Sequence, residues 1–243
     1  MQAWLAPPPD PMPEPGEVLA VLADLAVSPD RLRRLIAGFT PRERQRAASF
    51  ATGEWRDRWS AARGTLREVL GRALRIEPEE VALRYRPHGK PELDPACALR
   101  AGELRFNLSH SGERALIALA RVEVGADVER LKKRRTDDIA RRFFVPGEKE
   151  RLFALGPADR EQAFFRLWTC KEAFLKVTGE GLSRSTRSYE VEVGPDGARL
   201  LWAARLPDAA GRFSVFPLDP GNGYAAALFA EAQGLTLRRF RWP

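Results

Sequence analysis

Val124-Gly125-Ala126-Asp127-Val128-Glu129 and, about forty residues on, Trp168-Thr169-Cys170-Lys171-Glu172-Ala173-Phe174-Leu175-Lys176 decide how this chain is read. The first segment reads as a strand. Asp127 and Glu129 stand at i and i+2, so both carboxylates point to one face. The second reads as a helix, with Trp168, Glu172 and Lys176 at i, i+4 and i+8 on one face. Packed together, strand and helix bring three carboxylates and a lysine to one place, which suits a hard cation held against a phosphate. The run from Val122 to Val128 is otherwise apolar. An interior strand seldom buries two neighbouring acids unless something offsets their desolvation, and a divalent metal does so directly. The plainer alternative is an edge strand with a solvated face. Glu172 and Lys176 alone would be an ordinary exposed i, i+4 pair. Phe164, Phe165, Trp168 and Phe174 argue instead that their helix is largely buried.

Outward from these segments the chain reads as two α+β halves. The first has a strand at 18–23, a helix opened by Ser28-Pro29, and a capping box at Thr40-Pro41-Arg42-Glu43. A long amphipathic helix over about 54–74 follows, then strands near 81–86, 104–108 and 114–121. The second half starts with the strand at 122–129. Helices are expected at about 136–144, from Pro146 and over 159–178. Strands are expected near 189–193, 199–205, 212–217, 223–230 and 236–241. Pro41-x-Glu43-x-x-Arg46 matches Pro146-x-Glu148-x-x-Arg151, and Trp59 with Leu66-Arg67 matches Trp168 with Leu175-Lys176. The implied fold is two similar α+β lobes related by a pseudo-twofold, each with an antiparallel sheet and a long packed helix. Residues 17–121 form the N-terminal lobe and 122–243 the C-terminal lobe with the acidic site. The segment 1–16, with prolines at 7, 8, 9, 11, 13 and 15, is a loose extended lead-in.

Composition narrows the function. The chain has 243 residues, enough for a sizeable core, and no apolar run long enough to span a membrane. Its start lacks the basic and apolar regions of a secretory signal. Cys97 and Cys170 are too far apart for a metal knuckle or a disulfide framework, which points to a reducing cytoplasm. The formal net charge of +7 suits a polyanionic ligand, an acidic protein or nucleic acid. Only six of 40 basic residues are lysines. Lysine is a compact donor on a flexible stem and arginine a planar fork, so the few lysines stand out. Lys90, Lys171 and Lys176 fall in the segments that carry chemistry.

Two further segments matter. Phe106-Asn107-Leu108-Ser109-His110-Ser111-Gly112 ends a strand in a polar turn. Ser109 and His110 face opposite ways on a strand and make a poor nucleophile–base pair, so phosphate contact suits them better. His88-Gly89-Lys90-Pro91 is a turn from which Lys90 could reach a phosphate. Either segment alone is also ordinary turn chemistry.

In order and spacing, these four segments resemble the 4′-phosphopantetheinyl transferase superfamily in its longer, monomeric form. The likeness covers roughly residues 40–185, and Arg142-Phe143-Phe144 with Glu148 looks like the family's linker. Departures are minor: Ala126, Val128 and Cys170 within the motifs. The resemblance implies transfer of the phosphopantetheine arm of coenzyme A to a serine of an apo carrier protein, releasing adenosine 3′,5′-bisphosphate. It implies that Asp127, Glu129 and Glu172 hold Mg²⁺, with Glu172 the base acting through water and Lys176 serving the leaving phosphate. Lys90, Ser109 and His110 would hold the nucleotide, and Lys171 a phosphate or a structural acid. Arg46, Arg58 and Arg63 would meet the 3′-phosphate. The partner would be an acidic carrier domain, steered by Lys132, Lys133, Arg134 and Arg135, with no nucleic acid and no membrane. Two rivals remain from the residues themselves. A Mg²⁺-dependent nuclease uses acids and a lysine too, but would show steep salt dependence and leave the Ser109-His110 and Gly89-Lys90 segments idle. An inactive coenzyme A-binding module would have no reason to keep all the acids and Lys176.

Overall fold

The computed structural model describes residues 3–132, 135–179, 185–195, 197–221 and 223–243. The first lobe runs β1 (Glu17–Asp24), α1 (Pro29–Ala37), α2 (Pro41–Ala48), α3 (Gly53–Leu74), β2 (Leu83–Tyr85), β3 (Pro91–Leu93), α4 (Pro95–Ala101), β4 (Arg105–Ser111) and β5 (Arg114–Ala120). The second runs β6 (Val124–Arg130), α5 (Thr136–Phe143), α6 (Pro146–Phe153), α7 (Pro157–Thr178), β7 (Tyr189–Gly194), β8 (Gly197–Ala203), α8 (Ala209–Arg212), β9 (Ser214–Leu218) and β10 (Tyr224–Ala230). The order is the same in both: strand, three helices, hairpin, short helix, two strands. Sheet order matches too, β1-β5-β4 against β6-β10-β9. The two lobes are copies of one α+β plan. Local chemistry sets the helix starts. Ser28 caps α1, and Thr40 and Glu43 form the reciprocal capping box of α2.

Each long helix covers the outer face of its sheet over its own apolar core. Between the sheets lies a third core, rich in alanine: Ala20, Ala118 and Ala120 meet Ala126, Ala226 and Ala230, with Val18, Val124, Val128 and Leu228. Such small side chains let two sheets approach closely. Two expectations are corrected. The last strand, β11 (Thr236–Arg241), returns to pair parallel with β1, so the first sheet is mixed and residues 236–241 pack with the first lobe. The lead-in is extended but tied: Leu5 bridges to Phe240, Asp10 pairs with Arg75, and Arg121 donates to the carbonyl of Pro13. The turn at Arg86–Lys90 closes a small β2–β3 hairpin followed by α4, which Asp94 caps ahead of Pro95. Among the described residues no helix is long and apolar enough to cross a membrane.

Candidate active site

β4 is the outer strand of the first sheet and β6 the outer strand of the second, and the site forms where they meet. On β6, Gly125, Asp127 and Glu129 share the face that α7 covers. A Cβ at Gly125 would stand 2.1 Å from the carbonyl oxygen of Ala173 and 2.4 Å from the backbone nitrogen of Val177. Only glycine lets α7 lie this close, and α7 carries Glu172 and Lys176. Lys176 Nζ donates to Asp127 Oδ1 at 2.6 Å and to Ser109 Oγ at 2.9 Å. Ser109 Oγ lies 2.9 Å from Asp127 Oδ1, and Ser111 Oγ donates to Glu129 Oε2 at 2.9 Å. Asp127 Oδ2 is buried with no hydrogen-bond partner. Glu172 titrates above the usual carboxylate range, first through burial and then through repulsion from Asp127, with Glu129 adding to it against the pull of Lys176. Among the described residues no three His, Cys, Asp or Glu side chains stand together as a finished metal site. The donor set nonetheless fits a hard divalent ion: carboxylate oxygens only, one of them buried and unsatisfied.

On the other side of β4, His110 faces a cavity of about 470 Å³ in the first lobe, lined also by Arg42, Arg46, Trp59, Arg63 and Tyr85. Burial, and then the nearby Lys176 charge, pull the His110 pKa down, favouring the neutral ring. Arg63 lines the cavity while Glu43 anchors it at 2.6 Å and Tyr85 accepts its second hydrogen bond. Arg42 stacks over the Tyr85 ring at 4.3 Å.

Several expected roles change. Of the two partners expected for Lys171, the structure shows the structural acid. The Lys171 ammonium and the Glu148 carboxylate, both 0% exposed, pair at 2.7 Å, and Lys171 also donates to the Tyr189 carbonyl. The first lobe repeats this with Arg67, which binds Glu43 and the carbonyls of Pro78 and Val81. Lys171 therefore answers to Arg67, and the sequence match of Trp59 with Trp168 is out of register. Lys90 does not line the cavity: Glu123 holds its ammonium at 2.9 Å and the Val124 carbonyl at 3.0 Å. Arg58 is held by Glu54 and Glu113. Ser109 turns from the cavity toward Asp127, as strand alternation requires, so it does not share a ligand face with His110. Lys133 and Arg134 lie outside the described residues. Gly125, Arg42, Tyr85 and Ser111 were missed. Gly125 and Ser111 sat inside the quoted motifs, Arg42 inside the capping box at Thr40–Glu43 and Tyr85 in the strand expected near 81–86, but nothing local marked their contacts.

Comparison with known proteins fits this arrangement. A family model described as 4′-phosphopantetheinyl transferase superfamily matches residues 123–229, and one described as 4′-phosphopantetheinyl transferase, N-terminal, matches residues 26–122. The chain is similar to 4′-phosphopantetheinyl transferase HetI of Nostoc sp., with 39% identity over 95% of this chain and 94% of the relative. It is also similar to a 4′-phosphopantetheinyl transferase of Bacillus subtilis, with 30% identity over 88% and 92%. A third, Sfp of Bacillus subtilis strain 168, is 27% identical over 88% of this chain and 92% of its own. Both lobes are matched, and the matches run almost end to end, so the chain belongs to the 4′-phosphopantetheinyl transferase superfamily.

Proposed function

We propose that the seam of β4, β6 and α7 is the active centre at which this enzyme moves the phosphopantetheine arm from coenzyme A to a carrier-protein serine. The carrying observation is the meeting of Asp127, Lys176 and Ser109 beside a buried carboxylate oxygen without a donor. The serine oxygen attacks the pantetheine-side phosphorus, the bond to the bridging oxygen breaks, and adenosine 3′,5′-bisphosphate departs. Glu172 takes the serine proton through a water. Lys176 leaves Asp127 to meet the leaving phosphate. Asp127, Glu129 and Glu172 would hold Mg²⁺, which when bound offsets charge building on the bridging and leaving oxygens. His110, Arg46, Arg63 and Arg42 hold the nucleotide and its 3′-phosphate, arginine being the better bidentate ligand.

The carrier is an acidic domain drawn by the net charge of +7, and the enzyme acts as a cytoplasmic monomer. Cys97 and Cys170, both buried and free, suit that compartment. The test is the intact mass of apo carrier proteins of the fatty acid, polyketide and nonribosomal peptide classes after incubation with enzyme, coenzyme A and Mg²⁺. A gain of one phosphopantetheine arm, abolished by EDTA, is the expected result. No gain on any carrier would sink the reading. Gain that survives EDTA would remove the metal from it.

A further inference from the structure

An outer strand leaves every second N–H without a strand partner. On β6 these belong to Ala126, Val128 and Arg130. The first lobe meets them with side chains from β4: Asn107 Oδ1 accepts from Ala126 at 2.9 Å, Ser109 Oγ from Val128 at 3.4 Å, and Ser111 Oγ from Arg130 at 3.1 Å. A hydroxyl has one proton and two lone pairs. Each serine accepts from the backbone, which leaves its proton for a carboxylate. Ser109 directs it at Asp127 and Ser111 at Glu129. Acids on the second lobe are thus oriented by hydroxyls on the first, and the hydroxyls are themselves oriented by the strand that carries the acids.

We propose that Ser109 and Ser111 are positioning residues for the metal carboxylates, so that cation affinity is a property of the two lobes together. This rests on the reading that Asp127 and Glu129 hold a divalent ion. Outer partners of metal ligands commonly govern affinity about ten- to hundredfold, because they hold the ligand in its binding orientation. Ser111 is the cleaner probe, since Ser109 also bonds Lys176.

Mn²⁺ uptake by the full chain, without coenzyme A, is read from loss of the free-ion paramagnetic resonance signal. Ser111→Ala should weaken Mn²⁺ binding about tenfold, and Ser111→Thr should restore most of it. In a Glu129→Ala background, Ser111→Ala should have no further effect, because its acceptor is gone. A purely structural role would lower affinity equally in both backgrounds and would overturn the proposal. So would wild-type affinity in Ser111→Ala. Asp127→Asn separates the two levels. If it binds Mn²⁺ as well as wild type, or wild type binds none, the metal reading beneath the proposal fails.

Discussion

Gly125 sets the distance between the acids on β6 and the groups on α7. The atoms a Cβ would strike, the Ala173 carbonyl oxygen and the Val177 nitrogen, are both backbone, so no side-chain rotation relieves the clash. The helix itself must move, and Glu172 and Lys176 move with it. Overpacking of this kind costs about 1–3 kcal/mol of stability. Displacing catalytic groups by about 1 Å costs about 10²-fold in rate. Gly125→Ala should therefore lower kcat/KM for transfer about a hundredfold while the protein still folds, with a modest fall in its urea midpoint. Unchanged kinetics would mean that the close approach does not set the site. The acids at 127 and 129 were legible from their spacing on an apolar strand. The need for glycine at 125 was not, because the atoms it avoids lie about fifty residues away in sequence.

Each lobe ties its second helix to its long one with the same device, a glutamate that accepts from the N-cap N–H of the second helix and reaches a buried cation: Glu43 with Arg67, and Glu148 with Lys171. Burial opposes charge on both members of the second pair, raising the Glu148 pKa and lowering that of Lys171, while each partner pulls the other way. Removing one member leaves a bare charge in the core. Lys171→Met or Glu148→Gln alone should cost about 3–5 kcal/mol in urea unfolding, and an apolar replacement of both far less. Equal losses in single and double variants would show that packing, not charge, dominates. Glu43 gives a pH signature. Burial raises its pKa, but hydrogen bonds from Arg67, the Thr40 N–H and Arg63 outweigh that and bring it from 4.5 to about 2. A folded-state pKa below the unfolded one means stability that is full above about pH 4.5 and lost as pH falls toward about 2. The share is on the order of 3 kcal/mol. Glu43→Gln should flatten acid unfolding over that window, and an unchanged acid midpoint would remove Glu43 from the account. Capping boxes and amphipathic periods made most helices readable. α4 was missed although Asp94-Pro95 announces it, and Lys171 was left between a phosphate and a structural acid because burial of its partner Glu148 depends on packing against β7.

At the scale of the whole molecule, the repeated strand–helix–hairpin order was visible as a weak sequence repeat, whereas the return of β11 to β1 was not. No local pattern says which sheet edge a final strand joins. Charge is the other whole-molecule property. A net charge of +7 builds a field that reaches beyond any single contact, and for the acidic carrier proposed above it would act on the rate of arrival rather than on the chemistry that follows. That field is cut off within the Debye length, which shrinks from about 30 Å at roughly 0.01 M salt to about 10 Å at roughly 0.1 M. With coenzyme A and Mg²⁺ saturating, kcat/KM for the carrier should fall about tenfold over that range, at the low end of what steering contributes to association. The value of kcat at saturating carrier should hold steady, because the seam of β4, β6 and α7 is part-buried and less screened. A fall in kcat of the same size would locate the salt effect in the active centre. A kcat/KM indifferent to salt would mean that the carrier is recognised by short-range contact alone, and that the basic excess serves coenzyme A.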